Sequence, residues 1–180
     1  MNRTLLLLLA ASIAGALHAQ TTNPLIAESK ASYTQIKNYL VKAADKMPEE
    51  AYSFKPTPDL QSFGERVAHV ANQIRGCSGL TGESKSSSAA GKTAKADLVA
   101  ALKESFDACD AAWDSMNDKS AMEMVAGRGG QQSPKLGMLI RNTVHIDEVY
   151  GTMTVYMRLK GVVPPSSEGG GMGGGKKGGN

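Results

Sequence analysis

The chain has 180 residues, of which 41% are hydrophobic and 21% charged, and a formal net charge of +3. That composition suits one globular domain with a continuous core and excludes a disordered chain. A charge so near neutral offers neither the basic footprint nucleic acid requires nor a polybasic membrane patch. Two Cys are too few for a disulfide-framed miniprotein or a Cys-rich zinc module.

The N-terminus reads as a secretory signal over residues 1–19. Arg3 supplies the positive charge, Thr4 to Ala16 the apolar run, and Leu17-His18-Ala19 a small-residue cleavage site. The mature chain is expected to begin at Gln20 and to work in the periplasm or outside the cell. The apolar run is too short to span a bilayer comfortably, and no second run of spanning length exists, so no stable membrane insertion is expected. His18 would leave with the leader.

Helical periodicity follows in four stretches. Asn23-Pro24 opens the first, about 24–47, where Ile26, Tyr33, Ile36, Leu40, Ala43 and Met47 recur at three- and four-residue steps. Pro48, Pro56 and Pro58 forbid regular helix over 48–61. Ser62-Phe63-Gly64-Glu65 fits a capping box, in which side chain and backbone satisfy each other's orphan donors, and Phe63, Val67, Val70, Ile74 and Cys77 form the second stripe. Residues 80–92 read as a flexible connection. The third helix is expected over about 94–116, capped by Thr93 and faced by Val99, Leu102, Phe106, Cys109, Trp113 and Met116. Residues 117–132 read as loop, and the fourth helix as about 134–159. The fold class is therefore all-α, a four-helix bundle. The domain is assigned to 20–165, and 166–180 to a disordered Gly-rich tail.

Cys77 and Cys109 both fall on core-facing stripes, as buried thiols or as a disulfide. If the second and third helices were antiparallel neighbours, the two residues would differ in height by roughly 20 Å at the helical rise. A disulfide needs Cα atoms within about 7 Å. Parallel helices would match the heights, and residues 80–92 are long enough to supply the crossover. Bridge and parallel crossover stand or fall together, and both are expected.

The mature chain keeps two histidines. His69 shares a polar strip with Glu65, Asn72 and Gln73; His145 lies with Met138, Asn142, Val149 and Thr152. A lone helical His is more often a satisfied surface or core residue than a ligand, and spacing alone does not bring these two together.

The segment Ser62-Phe63-Gly64-Glu65-Arg66-Val67-Ala68-His69-Val70 resembles the second-helix signature of the DinB-like superfamily. His145-Ile146-Asp147-Glu148-Val149-Tyr150-Gly151 resembles its fourth-helix motif, H-x-x-x-H, then Arg or Tyr, then Gly. Residues 51–58 and 154–165 look like those of exported members. The resemblance implies an up-down-down-up bundle and a divalent metal, zinc or nickel, held by three His. It places the first ligand at His69, the second at His145 and the third at Val149, which has no lone pair to donate. Glu148 and Glu65 are the carboxylates that could substitute. The expected function is a binding or stress-related role for an unknown small molecule at a two-His site. The alternative is a metal-dependent hydrolase or thiol transferase using His69, His145 and a carboxylate. A homodimer through the helix faces is the base-rate expectation.

Overall fold

A computed structural model describes residues 23–81 and 89–168. The expected signal sequence and its cleavage site, the middle of the crossover and the tail beyond 168 lie outside the described residues.

Helix α1 spans Pro24–Lys46, and the Asn23 side chain caps it by accepting from the Leu25 N–H at 3.0 Å. Pro48 follows Met47 and stops it. Helix α2 spans Phe63–Gln73, and its capping box is complete. Ser62 Oγ accepts from Glu65 N at 3.2 Å while Glu65 Oε2 accepts from Ser62 N at 2.6 Å. A single turn, α3 (Arg75–Ser78), continues it past Ile74. Helix α4 spans Lys95–Asp114 and α6 spans Lys135–Leu159. Thr93 does not cap α4: the capping position is Ala94, with no side-chain bond.

Residues 117–132, read as loop, hold a short helix α5 (Asp118–Ala121) and the start of a hairpin. Strand β1 (Met124–Ala126) pairs antiparallel with β2 (Gln132–Pro134), Val125 facing Ser133. The turn uses Gly129 and Gly130 at φ of 74° and 79°, a region side chains other than Gly rarely enter.

The tail boundary also moves. Pro164 to Glu168, which straddles the expected start of the unstructured tail, packs on the bundle: Pro165 is buried and Ser166 exchanges hydrogen bonds with the Tyr150 hydroxyl at 2.9 Å. Lys46 pairs with Glu168, and Arg158 donates to Ser167 Oγ at 2.9 Å. Two prolines lower the entropy lost on ordering, and the Tyr150 contact supplies the rest.

Cross-helix contacts fix the topology. Lys30 pairs with Asp114, Lys37 with Asp110 and Lys103 with Asp45, so α1 and α4 run antiparallel. Gly64 lies against Leu98 at one end and Cys77 joins Cys109 at the other, so α2 and α4 run parallel. Gln61 meets Tyr156 and Cys77 meets Asn142, so α2 and α6 are antiparallel. The order is up-down-down-up. Every expected stripe residue of α1, α2 and α4 is buried; Met116, beyond the end of α4, packs half-buried at the rim. The centre is Tyr33, Leu40, Phe63, Phe106, Trp113, Ile146 and Tyr156. Gly64 is required by packing: a Cβ there would sit 3.2 Å from the Tyr52 carbonyl oxygen and 3.3 Å from Leu98. Among the described residues no helix is long and apolar enough to cross a membrane.

Candidate functional site

The antiparallel α2–α6 pair brings the two histidines together. His69 Nε2 lies 3.0 Å from His145 Nε2, and the rings meet edge-on at 73°. Both rings are half-buried. A contact this short between ring nitrogens is a hydrogen bond, so one imidazole donates and the other accepts.

The second nitrogen of His145, Nδ1, lies 3.6 Å from Glu148 Oε2. An ionised Glu148 favours the proton on Nδ1, which leaves His145 Nε2 as the acceptor and His69 Nε2–H as the donor. Burial holds His69 below the usual His range, and the charges of His145 and Arg66 add to the effect. Arg66 sits one turn before His69 on α2, and its Nε is buried without a hydrogen-bond partner. Its bearing on His69 was legible only as the i−3 position of a cation.

The other residues singled out fall as follows. Glu65 is bound to the Ser62 N–H and pairs with Lys55 at 3.3 Å. The Ser62 backbone bond holds its carboxyl below the ordinary range, and the Ser62 side chain and Lys55 contribute. Glu148 addresses the far side of His145, and its side chain is 79% exposed. Val149 is 4% exposed, in the core. Cys77 and Cys109 form a disulfide with Cα atoms 4.8 Å apart, both residues fully buried. Asn142, one turn before His145, donates its amide toward Cys77 Sγ at 3.1 Å, tying the bridge to the helix that carries His145. The sequence placed Asn142 on the His145 strip and did not show this contact.

A tetrahedral zinc bonded to two imidazoles holds their nitrogens about 3.3 Å apart, so the separation of the pair is near that of two ligands. The donor set is the obstacle. Glu65 is committed to the cap, Glu148 to the opposite ring nitrogen, and Val149 donates nothing. Among the described residues no group of three His, Cys, Asp or Glu side chains is placed to hold an ion. The residues present do not fit a three-ligand metal centre.

The backbone places this chain beside solved DinB-like proteins. One from Bacillus cereus ATCC 10987 superposes with a TM-score of 0.65 at 22% identity, covering 76% of this chain and 93% of that one. One from Bacillus subtilis gives 0.59 at 16% identity, covering 77% and 92%. The chain has the DinB-like four-helix fold. No protein-family model matches the sequence, and no curated protein does.

Proposed function

We propose that the chain is an exported member of the DinB-like superfamily, a binding protein for a small polar molecule in a stress-related setting. Its His69–His145 pair stands where the family's metal site would be. The observation that carries this is the direct Nε2–Nε2 contact of 3.0 Å with an aliphatic residue, Val149, one turn beyond His145. An imidazole pair with one exposed carboxylate behind it can donate and accept at one point, which suits a polar ligand and does not require a metal. Export is supported by the buried Cys77–Cys109 disulfide, which suits an oxidising compartment.

Elemental analysis of natively purified protein tests the reading. Wild type is expected to carry zinc or nickel well below one equivalent after dialysis against a chelator, and Val149→His to gain metal. One equivalent of metal that survives the chelator, and is lost in His69→Ala and in His145→Ala, overturns it. That result would favour the hydrolase or thiol-transferase reading. The observation on its side is Glu148 at 3.6 Å from His145 Nδ1, the arrangement that orients a metal-bound imidazole.

A further inference from the structure

Arg66 is a cation that the protein leaves unanswered. Its Nε is buried without a hydrogen-bond partner, and no ion pair or other hydrogen bond reaches its guanidinium among the described residues. The two terminal nitrogens, unpaired yet not shut in, stay open to solvent. Burying part of a guanidinium with nothing to accept from it is costly, and the side chain is long enough to extend into water instead. The neighbouring carboxylates are taken: Glu65 holds the Ser62 N–H and Lys55, and Glu148 faces His145 Nδ1. Register places Arg66 at the site. Gln61 meets Tyr156 and His69 meets His145 across the antiparallel α2–α6 pair, so position 66 comes level with Val149. His69 and Val70 follow it by three and four residues, which puts it on the side of α2 turned toward α6. After burial and the charge of His145, its own charge contributes to holding His69 below the usual His range. Arg66 thus stands beside the position where the resemblance calls for a third metal ligand. A fixed cation there repels a metal ion and attracts an anion.

We propose that Arg66, His69 and His145 together bind a small carboxylate that carries a hydroxyl on the adjacent carbon. The carboxylate lies on the terminal nitrogens of Arg66, whose planar fork matches its two oxygens. A ligand that enters beside the rings breaks the Nε2–Nε2 hydrogen bond, and both of its ends must then be satisfied. With Glu148 holding the proton on His145 Nδ1, His69 Nε2–H needs an acceptor and His145 Nε2 needs a donor. A carboxylate oxygen supplies the first, and the neighbouring hydroxyl supplies the second. An ammonium in place of the hydroxyl is repelled by Arg66, and a phosphate dianion carries more charge than one guanidinium offsets. This ligand class rests on the metal-free reading of the His69–His145 pair and narrows it.

Nuclear magnetic resonance of the isotope-labelled, purified chain tests this, with sodium glycolate as the probe. The Arg66 Nε–H signal, identified by its loss in Arg66→Gln, and the ring signals of His69 and His145 are expected to shift together and to saturate at millimolar glycolate. Arg66→Gln removes the cation and is expected to weaken binding about tenfold or more; Arg66→Lys keeps the charge without the fork and is expected to weaken it about threefold. Acetate lacks the hydroxyl and is expected to bind about fivefold more weakly than glycolate. Circular dichroism confirms that each variant is folded. Glycolate that moves none of these signals, moves them no more than sodium chloride at equal ionic strength, is displaced by an equal concentration of inorganic phosphate, or binds Arg66→Gln as tightly as wild type overturns the proposal and leaves the metal-free pair standing. One equivalent of chelator-resistant metal in the same preparation overturns the metal-free reading itself, and the proposal with it.

Discussion

Cutting the link between Cys77 and Cys109 gives a perturbation whose size follows from the chain. The two residues are 32 apart in sequence, and the bridge closes the crossover between the parallel helices α2 and α4. In the chain-entropy account a loop of this length, once opened, returns roughly 12 cal/mol/K to the unfolded ensemble, or about 3.7 kcal/mol at room temperature. Against a total of roughly 5–15 kcal/mol for a domain, that is a large share. Reduction keeps both sulfur atoms in place as small hydrophobes, so oxidised and reduced wild type differ mainly in the unfolded state. Cys77→Ala with Cys109→Ala also removes two fully buried sulfurs and the acceptor of the Asn142 amide. Urea unfolding followed by circular dichroism should show a loss of about 3–4 kcal/mol on reduction and a further loss of about 1–2 kcal/mol in the double variant. The urea dependence should steepen in both, because the uncrosslinked chain exposes more surface. Oxidised and reduced wild type unfolding at the same urea concentration would refute the reasoning.

Burial, with the charges of His145 and Arg66, holds His69 below its ordinary pKa, so the unfolded chain binds more protons than the folded one in the interval between the two values. That contribution to stability is complete above about pH 6.5 and is lost as pH falls below it; urea midpoints between about pH 7.5 and pH 5 should decline, and less so in His69→Gln. Ser62→Ala removes the acceptor for Glu65 N and should cost about 1 kcal/mol by the same measurement. Tyr33→Phe removes a buried hydroxyl that donates to Asp110 at 2.8 Å and should cost about 1–2 kcal/mol, while Lys37 still pairs with Asp110. Gly151→Ala should raise the thermal midpoint of the monomer, since it gains helix propensity of up to about 1 kcal/mol and meets no neighbour.

The long helices were legible because each has a continuous stripe: Ile26 to Met47, Phe63 to Cys77 and Val99 to Trp113 are buried as their spacing implies. The capping box at Ser62 was legible for a similar reason, since its signature is local and complete within four residues. The hairpin was not. Strands of three residues give too little alternation to register, and Val125 and Ser133 face each other only because Gly129 and Gly130 reverse the chain. Ordering of Pro164 to Glu168 was hidden because it depends on Tyr150, Lys46 and Arg158, all distant in sequence. At the site, the residue types were legible and their roles were not. Glu65 and Glu148 each stand within one helical turn of a histidine, yet one is consumed by the helix start and the other addresses the wrong nitrogen. A spacing of three or four residues fixes the face of a helix, not the direction in which a carboxylate is drawn.

The separation of the two imidazoles is set by what lies above and below them. Gln61, eight residues before His69, accepts from Tyr156 at 2.9 Å; Cys77, eight residues after it, is contacted by Asn142 at 3.1 Å. At the helical rise these anchors stand about 12 Å along the axis on either side of the pair. Helices held at both ends cannot slide to suit a ligand, so His69 and His145 meet without a metal to draw them together. This bears directly on the Val149→His variant. The buried valine shares a helix face with His145, and an imidazole there must be desolvated and neutral while the site is empty. The variant should therefore be less stable than wild type without metal and recover stability on adding zinc, since binding to the folded state alone shifts the equilibrium toward it. Wild type, with two donors fixed by the same anchors, should show a much smaller shift at the same zinc concentration. Equal shifts in the two proteins would mean that zinc binds elsewhere and that the convergence of His69 and His145 has nothing to do with metal.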